Sequence, residues 1–360
     1  MLLIKPTIDN KGYLNKMILV DEITEKNGKF YIFGINILTD ALIKLFKSKI
    51  KGIIDEFTSE KFYKNIPIFN LNQIERNSVI LVASSGKILT SLSKLRKKGF
   101  EHVLHYVDFL RYGTAKLTDL PFNENFPQEY DKNHERFEEV YGMLKDERSK
   151  IIYKKLINFR YFYDLSFLEG FKSCEYKQYF EDFLSLNKEI FVDGGGFDGL
   201  TTKLFIEKCP SYKKVYFFEP DKGNLEKAML LLKNYKNINF YGVGLYSKKM
   251  KLKFKKEGSS SHVSEEGGEI IDVDKFDSII NDKVTYIKLD IEGSEEEALD
   301  GMHYTIKKYY PKLAVSVYHS PNSFWRIPQI VLNTRDDYNI YLRHYTESIY
   351  ETIMYFIPKK

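Results

Sequence analysis

Cysteine is scarce in this chain of 360 residues, which holds two, Cys174 and Cys209. They lie far apart in sequence and lack the spacing of metal ligands, so neither a disulfide framework nor a zinc site is expected. A cluster of His and Asp at ligand spacing is also missing from the sequence, and we predict no metal. This cysteine usage fits a reducing compartment, the cytoplasm.

Long hydrophobic runs are missing as well. Residues 1–20 carry Lys5, Asp9, Lys11 and Lys16, which interrupt the apolar core that a signal peptide requires. No other stretch reaches the roughly 20 apolar residues of a membrane-spanning helix. We therefore expect a soluble, cytoplasmic protein without a membrane span.

An excess of charge of one sign is also lacking, because 55 basic residues are offset by 50 acidic ones and the formal net charge is +5. A nucleic-acid-binding domain usually concentrates its basic residues on one face or along one helix. Here the basic residues are spread along the chain. Nucleic acid is therefore not expected as a partner.

The first part of the chain, residues 1–119, alternates apolar strands with segments of helical spacing. The predicted strands are 30–35, 50–54, 78–83 and 102–106, and the predicted helices are 38–47 and 85–98. This alternation is typical of a small Rossmann-like α/β domain with a parallel sheet. Its first strand leads into a turn with a single glycine, Gly34, where a dinucleotide-binding domain carries several.

Residues 120–185 change character and predict a connector. The polar stretch 120–135 contains two prolines and predicts a loop. The aromatic-rich segments 151–167 and 175–184 have helical spacing and predict helices between two domains. These helices could pack within the chain or form the interface of a homodimer, and the sequence leaves both open.

Residues 186–360 return to strand, glycine-rich turn and helix, at the spacing of a doubly wound sheet. The predicted strands are 190–192, 215–218, 238–241, 284–289 and 313–317, and the predicted helices are 200–208, 224–234 and one that begins at 295. Segments 251–254 and 268–272 predict a hairpin or an edge. The last two segments, 338–344 and 352–357, predict a closing antiparallel pair.

The strongest chemical signal is the run from Asp193 to Gly199, which reads Asp-Gly-Gly-Gly-Phe-Asp-Gly and lies between a predicted strand and a predicted helix. Glycines there let the backbone approach a ligand closely and adopt positive φ. An acid at the end of the strand repels phosphate but suits a cationic ligand. S-adenosylmethionine carries an ammonium and a sulfonium, so it fits such a turn.

Two further acids end predicted strands of the same sheet. Glu219 follows the second strand, where an acid is placed to accept both hydroxyls of a ribose. A nicotinamide cofactor uses the same acid, so Glu219 alone does not separate a methyltransferase from a dehydrogenase. Asp290 follows the fourth strand, and because the carboxyl ends of the strands share one rim, Asp193, Glu219 and Asp290 are expected to converge there.

His319 follows the fifth strand and is expected on the same rim. Histidine titrates near neutrality and can take a proton from a hydroxyl, although a histidine at the end of a strand is ordinarily structural. Glu295 and Glu296 begin a predicted helix. We interpret these two acids as charges that complement the helix dipole.

Taken in order, these motifs resemble the FkbM family of methyltransferases over about residues 186–357. The motifs that carry the resemblance are the glycine turn with the residue before it, Val192 to Gly199, then Phe218-Glu219-Pro220, Ile287-Lys288-Leu289-Asp290-Ile291-Glu292-Gly293, Tyr318-His319-Ser320-Pro321, Trp325-Arg326-Ile327-Pro328, Tyr341-Leu342-Arg343-His344-Tyr345 and Glu351-Thr352. One departure is visible. The family's glycine turn usually reads Asp-Val-Gly-Ala-Asn-x-Gly, whereas Gly194, Gly196 and Phe197 stand here in place of the Val, Ala and Asn.

The resemblance implies a class I methyltransferase fold that binds S-adenosylmethionine and acts on a hydroxyl of a sugar or a polyketide-like acceptor. The residues it implies are Asp193, Gly195 and Gly199 for the methionine moiety, Glu219 for the ribose, Gly244 and Leu245 for the adenine, and Asp290 for the rim of methyl transfer. The N-terminal region looks like the small nucleotide-binding-like domain of some sugar-modifying enzymes, which suggests a polysaccharide setting.

The hypothesised reaction is in-line attack of an acceptor oxygen on the methyl group, with His319 as the base, assisted by Asp290. A metal-assisted variant, in which Asp290 and a neighbouring acid hold a divalent ion that acidifies the hydroxyl, ranks lower. The enzyme alternative is a nucleotide-sugar oxidoreductase, which would need a catalytic pair such as Tyr-x-x-x-Lys. Its nearest approximation, the run from Tyr309 to Lys312, contains Pro311, which spoils a helical pair. The alternative from another class is a non-catalytic scaffold that binds saccharide.

Overall fold

A computed structural model shows a mixed α/β chain. The structure describes residues 2–4, 10–26, 28–114, 116–255, 262–263 and 269–359. The chain folds into two compact units, neither of them continuous in sequence. The first unit takes residues 1–132, 153–173 and 345–350, and the second takes 133–152, 174–344 and 351–360. The ranges 1–119, 120–185 and 186–360 remain predictions about independent domains.

The first unit contains a parallel sheet with helical crossovers, as the sequence predicted. Its elements are α1 (Asn10–Thr24), β1 (Phe30–Phe33), α2 (Ile37–Phe46), β2 (Ile50–Ile54), β3 (Phe62–Tyr63), β4 (Ile66–Phe69), β5 (Ile80–Val82), α3 (Ile88–Lys97), β6 (Val103–His105) and α4 (Tyr106–Tyr112), with 3-10 turns at Lys47–Lys49 and Leu71–Gln73. The strand order is β3-β4-β2-β1-β5-β6. All neighbours pair in parallel except β3 with β4.

The core of this unit follows from the apolar runs in its strands. Ile32 in β1 and Leu81 in β5 are completely buried, as expected for central parallel strands that are covered on both faces. Helix α2 buries Leu38, Leu42 and Phe46, which recur every four residues on one face of the helix. The four predicted strands (β1, β2, β5 and β6) and the two predicted helices (α2 and α3) therefore agree with the structure to within a few residues.

The segment between the two sheets differs from the prediction. It holds α5 (Phe126–Met143), α6 (Glu147–Phe162) and 3-10 turns at Leu165–Leu168, Glu175–Lys177 and Asp182–Leu184. The predicted loop 120–135 is wrong after residue 125, because Pro127 falls in the first turn of α5, where a missing N–H costs no helical hydrogen bond. The predicted helix 175–184 is also wrong. Tyr179 has a φ of +66°, which is incompatible with a right-handed helix, so the segment forms two separate 3-10 turns.

The second unit contains a seven-stranded sheet. Its further elements are β7 (Ile190–Gly194), α7 (Leu200–Lys208), β8 (Lys214–Phe218), α8 (Lys222–Leu231), β9 (Ile238–Tyr241), β10 (Gly244–Leu245), β11 (Met250–Lys255), β12 (His262–Val263), β13 (Glu269–Asp274), α9 (Phe276–Ile279), β14 (Tyr286–Leu289), α10 (Glu295–Gly301), α11 (His303–Tyr309), β15 (Lys312–Ser316), α12 (Ser323–Thr334), β16 (Tyr338–His344) and β17 (Thr352–Pro358). The order is β16-β17-β15-β14-β7-β8-β9. The predicted closing antiparallel pair, β16 with β17, is confirmed.

The chain reverses its direction of travel across this sheet at β7. It runs outward through β8 and β9, then returns to build β14 and β15 on the other side of β7. Ligands of open α/β sheets bind at the carboxyl ends of the strands beside such a reversal. The turn after β7 is fixed there, since Phe205 of α7 stacks on Phe191 of β7 with ring centroids 4.2 Å apart.

A small four-stranded sheet interrupts the alternation, in the order β10-β13-β11-β12. Strands β11 and β13 pair antiparallel, which matches the hairpin predicted from 251–254 and 268–272. Residue 268 itself lies outside the described residues.

The sequence predicted neither a membrane span nor a disulfide. None of the described helices combines the length and the apolar character needed to cross a bilayer. Cys174 and Cys209 are both free thiols, as their spacing predicted.

Candidate functional site

A cavity of about 250 Å³ opens at the carboxyl ends of β7, β8 and β14. Five of the residues that the sequence singled out line it, namely Gly195, Glu219, Gly244, Leu245 and Asp290. Three others lie outside its lining, namely Asp193, Gly199 and His319. The site residues predicted from the sequence therefore lie in or around one cavity, but only five of them line it.

The glycines of the turn serve two different purposes. Gly195 has a φ of +74°, and a Cβ at this position would lie 1.9 Å from the carbonyl oxygen of Asp290. Only glycine fits there, and its backbone forms part of the cavity wall. Gly199 has a φ of +89° at the start of α7, and a Cβ there would lie 3.1 Å from Ala228. Gly199 thus supports helix packing behind the cavity.

Asp193 stabilises the glycine turn through buried contacts. Its carboxylate is completely buried, lies 3.0 Å from Nζ of Lys288 and accepts a hydrogen bond of 2.6 Å from the Thr202 hydroxyl. Lys288 also donates to the carbonyl oxygens of Gly194 and Gly195, at 3.1 and 2.6 Å. Burial lowers the pKa of Lys288, but the nearby anions, Asp193 first, outweigh it and raise that pKa, so Lys288 is a cation at neutral pH.

Glu219 lies where the sequence placed it, at the end of β8. One carboxylate oxygen accepts the backbone N–H of Phe197 and the other accepts that of Asp221, both at 2.9 Å. Burial raises the pKa of this carboxyl above its ordinary value. A carboxylate offers about four lone-pair positions, so two remain for hydroxyl groups of a ligand in the cavity.

One wall of the cavity is apolar. Gly244 and Leu245 of β10 line it together with three side chains of the small sheet, Leu252, Ile271 and Val273. The lining also contains polar side chains, among them Glu219, Lys288 and Asp290. A pocket with one apolar wall and a few convergent polar groups is the usual form of a cofactor site.

Asp290 carries a dense set of hydrogen bonds among the polar residues of the lining. It accepts from the hydroxyls of Tyr179 at 2.7 Å and Ser316 at 2.8 Å, and the Tyr318 hydroxyl lies 3.3 Å away. Burial raises its pKa, but the cations of His319 and Lys288 and these hydroxyls more than offset that and hold the pKa below its ordinary value. Asp290 is therefore a stable anion at the edge of the cavity.

The predicted role of His319 as the base does not fit its surroundings. Its ring is buried, with Nδ1 2.9 Å from Glu295 and Nε2 3.3 Å from Glu292 and 3.6 Å from Asp290. Burial lowers the pKa of the ring, but these three carboxylates, Glu295 foremost, raise it well above its ordinary value. A ring that already holds its proton has no lone pair for a further one, so these contacts disfavour His319 as the base.

Glu295 also differs from its predicted role. It does lie in the first turn of α10, yet it is buried, accepts the backbone N–H of Ile291 and pairs with His319. Glu296 is more exposed and pairs with Arg326, which suits the predicted role. The sequence alone gave no sign that these acids differ.

Asp290, Glu295 and His319 could hold a metal ion by geometry, since one ligand atom from each lies within 4.8 Å of the others. The sequence showed no such set at ligand spacing, because the fold assembles it from the loops after β14 and β15 and the first turn of α10. A metal would have to displace the proton of His319, whose pKa is raised well above its ordinary value. We therefore interpret this set as an ion-paired histidine.

Gln178 and Tyr179 were not predicted as residues of the site, and Lys288 and Glu351 were noted only as members of motifs without a role. Lys288 had a visible signal, since a lysine inside an apolar strand needs an anionic partner. Gln178 and Tyr179 come from a segment that was predicted as helix. Glu351 was noted as part of a motif, but its place in the cavity required the closing strand pair to be folded.

These features define the class of protein. A sheet of this strand order, with a glycine turn after its first strand and acids after the next strands on the same rim, is the class I methyltransferase fold. Within that class, residues 192–353 match the methyltransferase FkbM domain. The chain therefore contains an FkbM methyltransferase domain, and S-adenosylmethionine is its cofactor.

Solved structures are similar to this chain at low identity. A methyltransferase FkbM from Methylobacillus flagellatus is 22% identical, with 96% of this chain and 98% of that chain covered and a TM-score of 0.76. An rRNA methylase from Streptococcus thermophilus is 14% identical over 49% of this chain and 92% of its own, with a TM-score of 0.34. Aeropyrum pernix fibrillarin in complex with S-adenosyl-L-methionine is 10% identical over 48% and 67%, with a TM-score of 0.33.

The first of these structures covers nearly the whole chain, so the fold described above, including its N-terminal part, is shared with a methyltransferase FkbM. None of the curated protein sequences matches the chain.

Proposed function

We propose that this protein is an S-adenosylmethionine-dependent O-methyltransferase that acts on a hydroxyl of a sugar or a nucleotide-linked saccharide. The observation that carries the proposal is the convergence of Gly195, Glu219 and Asp290 on one cavity. Gly195 lets the backbone of the turn approach a ligand closely, Glu219 has lone pairs for ligand hydroxyls, and Asp290 places a negative charge at the edge of the cavity. The cavity lies in the second unit, within the FkbM domain.

The residues on the cofactor side fit S-adenosylmethionine. The turn at Gly195 admits the backbone of a methionine moiety, because no Cβ occupies that space. Glu219 has lone pairs for the ribose hydroxyls, and the apolar wall around Leu245 suits a flat adenine. When bound, this cofactor supplies an activated methyl group. The anions at the rim favour a cationic ligand over a pyrophosphate.

The residues on the acceptor side suit an uncharged polyol. Asp290, Glu292, Ser294, Tyr318 and Glu351 line this side of the cavity. Carboxylates and hydroxyls of this kind form hydrogen bonds with the hydroxyls of a saccharide. Asp290 lies at the rim and orients the acceptor, and His319 is a positioning residue that keeps the neighbouring carboxylates in place.

The oxidoreductase alternative finds no support at the cavity. Tyr309 ends α11 and Lys312 begins β15, and neither residue lines the cavity. The ammonium of Lys312 is held 2.6 Å from Glu189. A scaffold without catalysis would keep the fold but need not keep a cofactor cavity.

Calorimetric titration of S-adenosylmethionine into the purified protein tests the proposal, with NAD and NADP as parallel ligands. The test variant is Glu219→Gln, because an amide must turn a donor toward one of the two backbone N–H groups. We expect Kd to rise about 10- to 100-fold, as for a lost charge-assisted hydrogen bond. The matched control is Glu207→Gln on α7, an exposed carboxylate paired with Lys203.

Three results would count against the proposal. Selective binding of NAD or NADP would favour the oxidoreductase, and binding of no cofactor would favour the scaffold. An equal loss of affinity in Glu207→Gln would show that the variant acts through general destabilisation of the domain.

A further inference from the structure

Glu351 is one of the carboxylates that line the cavity, and its part in the reaction itself has not yet been considered. Glu351 is the residue just before β17, lines the cavity and has a φ of +56°, a left-handed conformation that is costly for a non-glycine residue. We propose that Glu351 is the general base that takes the proton of the acceptor hydroxyl, a proposal that rests on the function proposed above.

Glu351 and Asp290 belong to one network of hydrogen bonds. The side-chain amide of Gln178 donates to Glu351 and, at 2.9 Å, to the hydroxyl of Tyr179. That hydroxyl donates to Asp290 at 2.7 Å. The hydroxyl of Tyr318 lies between the two carboxylates, 3.3 Å from Asp290 and 3.5 Å from Glu351. The network fixes the orientation of both acids toward the cavity.

The two carboxylates receive unequal stabilisation. Asp290 accepts from the hydroxyls of Tyr179 and Ser316 at under 3 Å and lies near two cations, His319 and Lys288. Glu351 has one short donor, Gln178, and the negative charge of Asp290 as a neighbour. A pair of acids in such unequal surroundings divides the roles, because one stays ionised while the other binds a proton near neutrality.

The pKa values follow this division. Burial, and after it the charge of Asp290, raises the pKa of Glu351 to about 7, although Gln178 and His319 act in the opposite direction. The pKa of Asp290 is held below its ordinary value. A base works best when its pKa is close to the working pH, so Glu351 is suited to accept a proton and Asp290 is not.

Other groups near the rim are less suitable. His319 already carries its proton, and the carboxylate of Glu292 lies 3.3 Å from the ring of His319. Glu219 bonds to two backbone N–H groups on the cofactor side.

Methyl transfer with Glu351 as the base balances in atoms and electrons. The acceptor oxygen forms a bond to the methyl carbon while the bond between that carbon and the sulfonium sulfur breaks. The electron pair of the broken bond stays on sulfur, which becomes a neutral thioether. The hydroxyl proton passes to a carboxylate oxygen of Glu351 and then leaves to solvent.

The test compares Glu351→Gln with Glu296→Gln in the intact protein. The glutamine keeps an oxygen for the amide of Gln178 but cannot accept a proton, and Glu296 is a partly exposed acid on α10, paired with Arg326. With methyl-tritiated S-adenosylmethionine and methyl α-D-mannopyranoside, methyl α-L-rhamnopyranoside and UDP-glucose as probes, turnover should fall about 100-fold or more in Glu351→Gln. Its Kd for the cofactor should stay unchanged.

The pH dependence provides a readout that a structural role would not move. In the wild type, kcat/KM should rise with pH through about 7 as Glu351 loses its proton. The groups that face it are Asp290, His319, Glu175, Gln178 and Tyr318. Gln178→Met removes a donor that lowers the pKa of Glu351, so the rise should move to higher pH. Turnover of Glu351→Gln equal to that of Glu296→Gln would overturn the proposal.

Infrared titration tests the same residue without an acceptor. The band of a protonated carboxyl should fade as the pH passes about 7 in the wild type and be missing from Glu351→Gln. Loss of the same band in both variants, or in neither, contradicts the proposal. A wild type that binds S-adenosylmethionine but methylates none of the probes counts against the proposed function, and the infrared result then decides on Glu351 separately.

Discussion

The two large sheets of this molecule end their first strands, β1 and β7, in different ways. In the first unit, Gly34 follows β1 with a φ of +102°, and the side chain of Asn36 then accepts the N–H groups of Leu38 and Thr39. Asn36 also donates to the carbonyl of Ala83 after β5. In the second unit, Gly199 precedes α7 and has no side chain to cap the helix, Asp198 accepts the N–H of Leu200, and the turn before them lines a cavity.

The difference shows that the arrangement of strand, turn and helix does not by itself make a ligand site. In both units side chains accept N–H groups of the turn, namely Asn36 in the first unit and Asp198 and Glu219 in the second. The difference is that the second turn also lines a cavity with a residue that has no Cβ, Gly195, and so leaves space that a ligand can fill. A second example is α3, where the carboxylate of Glu347 accepts both the N–H and the hydroxyl of Thr90, each at 2.7 Å.

Two buried histidines extend the comparison. In the first unit, His105 accepts the N–H of Val107 at Nδ1, its Nε2 lies 2.9 Å from the carbonyl oxygen of Ser84, and burial lowers its pKa to about 4. In the second unit, three carboxylates raise the pKa of His319 well above its ordinary value. The same residue type is thus a neutral helix cap in one unit and a buried cation in the other.

The largest predicted effect comes from the buried ion pair of the second unit. Lys288→Met leaves Asp193 charged and unpaired, which should lower the free energy of unfolding by about 3 to 5 kcal/mol, as measured by urea denaturation. The comparison is Lys94→Met in the first unit, which breaks the exposed pair with Glu56 and should cost under about 1 kcal/mol. Equal losses would mean that burial does not distinguish the two pairs.

The two glycine turns give the next prediction. Gly34 and Gly195 both have positive φ, but a Cβ on Gly34 meets nothing within 4 Å, while one on Gly195 would overlap the Asp290 carbonyl. Gly34→Ala should therefore cost only the backbone strain, about 1 to 2 kcal/mol. Gly195→Ala adds overpacking and should cost about 2 to 5 kcal/mol in urea unfolding, with loss of S-adenosylmethionine binding by calorimetry. Similar losses of unfolding free energy in the two variants would show that the turn at Gly195 can shift to accommodate a Cβ.

His105 predicts how stability depends on pH. Its pKa is about 4 in the folded state and 6.5 ordinarily, so the unfolded chain binds more protons between these values. The contribution is fully present above pH 6.5 and is lost as pH falls toward 4, by about 3 kcal/mol in total. His105→Asn keeps an acceptor for Val107 and does not titrate, so its urea midpoint should fall less on acidification. Identical pH dependence in both proteins would contradict the assignment.

Periodicity and turn chemistry were sufficient to predict most of the fold. Strands such as β2 and β9 and the helix α7 were predicted with their observed bounds, because apolar runs and glycine turns are local signals. Helix α12 was missed, since Pro328 inside it reads as a helix breaker. Tertiary packing overrode that local signal.

Of the residues that the sequence assigned to the cofactor, Gly195, Glu219, Gly244 and Leu245 line the cavity and Asp193 and Gly199 do not, and their roles stay predictions. Gly195 and Glu219 follow their strands directly, so the topology rule places them. Gln178 and Glu351 are 173 residues apart and meet only in the folded chain. The protonation of His319 depends on three carboxylates that approach within 3.6 Å, a distance that no spacing rule supplies.

The smallest predicted effect concerns the closed turn of the first unit. Asn36→Ala removes the acceptor for two N–H groups of α2 and should cost about 1 kcal/mol in urea unfolding, whereas Asn36→Asp keeps an acceptor and should cost less. Because Asn36 fills the place where a dinucleotide turn would leave free donors, calorimetry with NAD should show no binding at this unit in the wild type. If Asn36→Ala gained NAD binding while the wild type had none, a single side chain would account for the difference between the two turns.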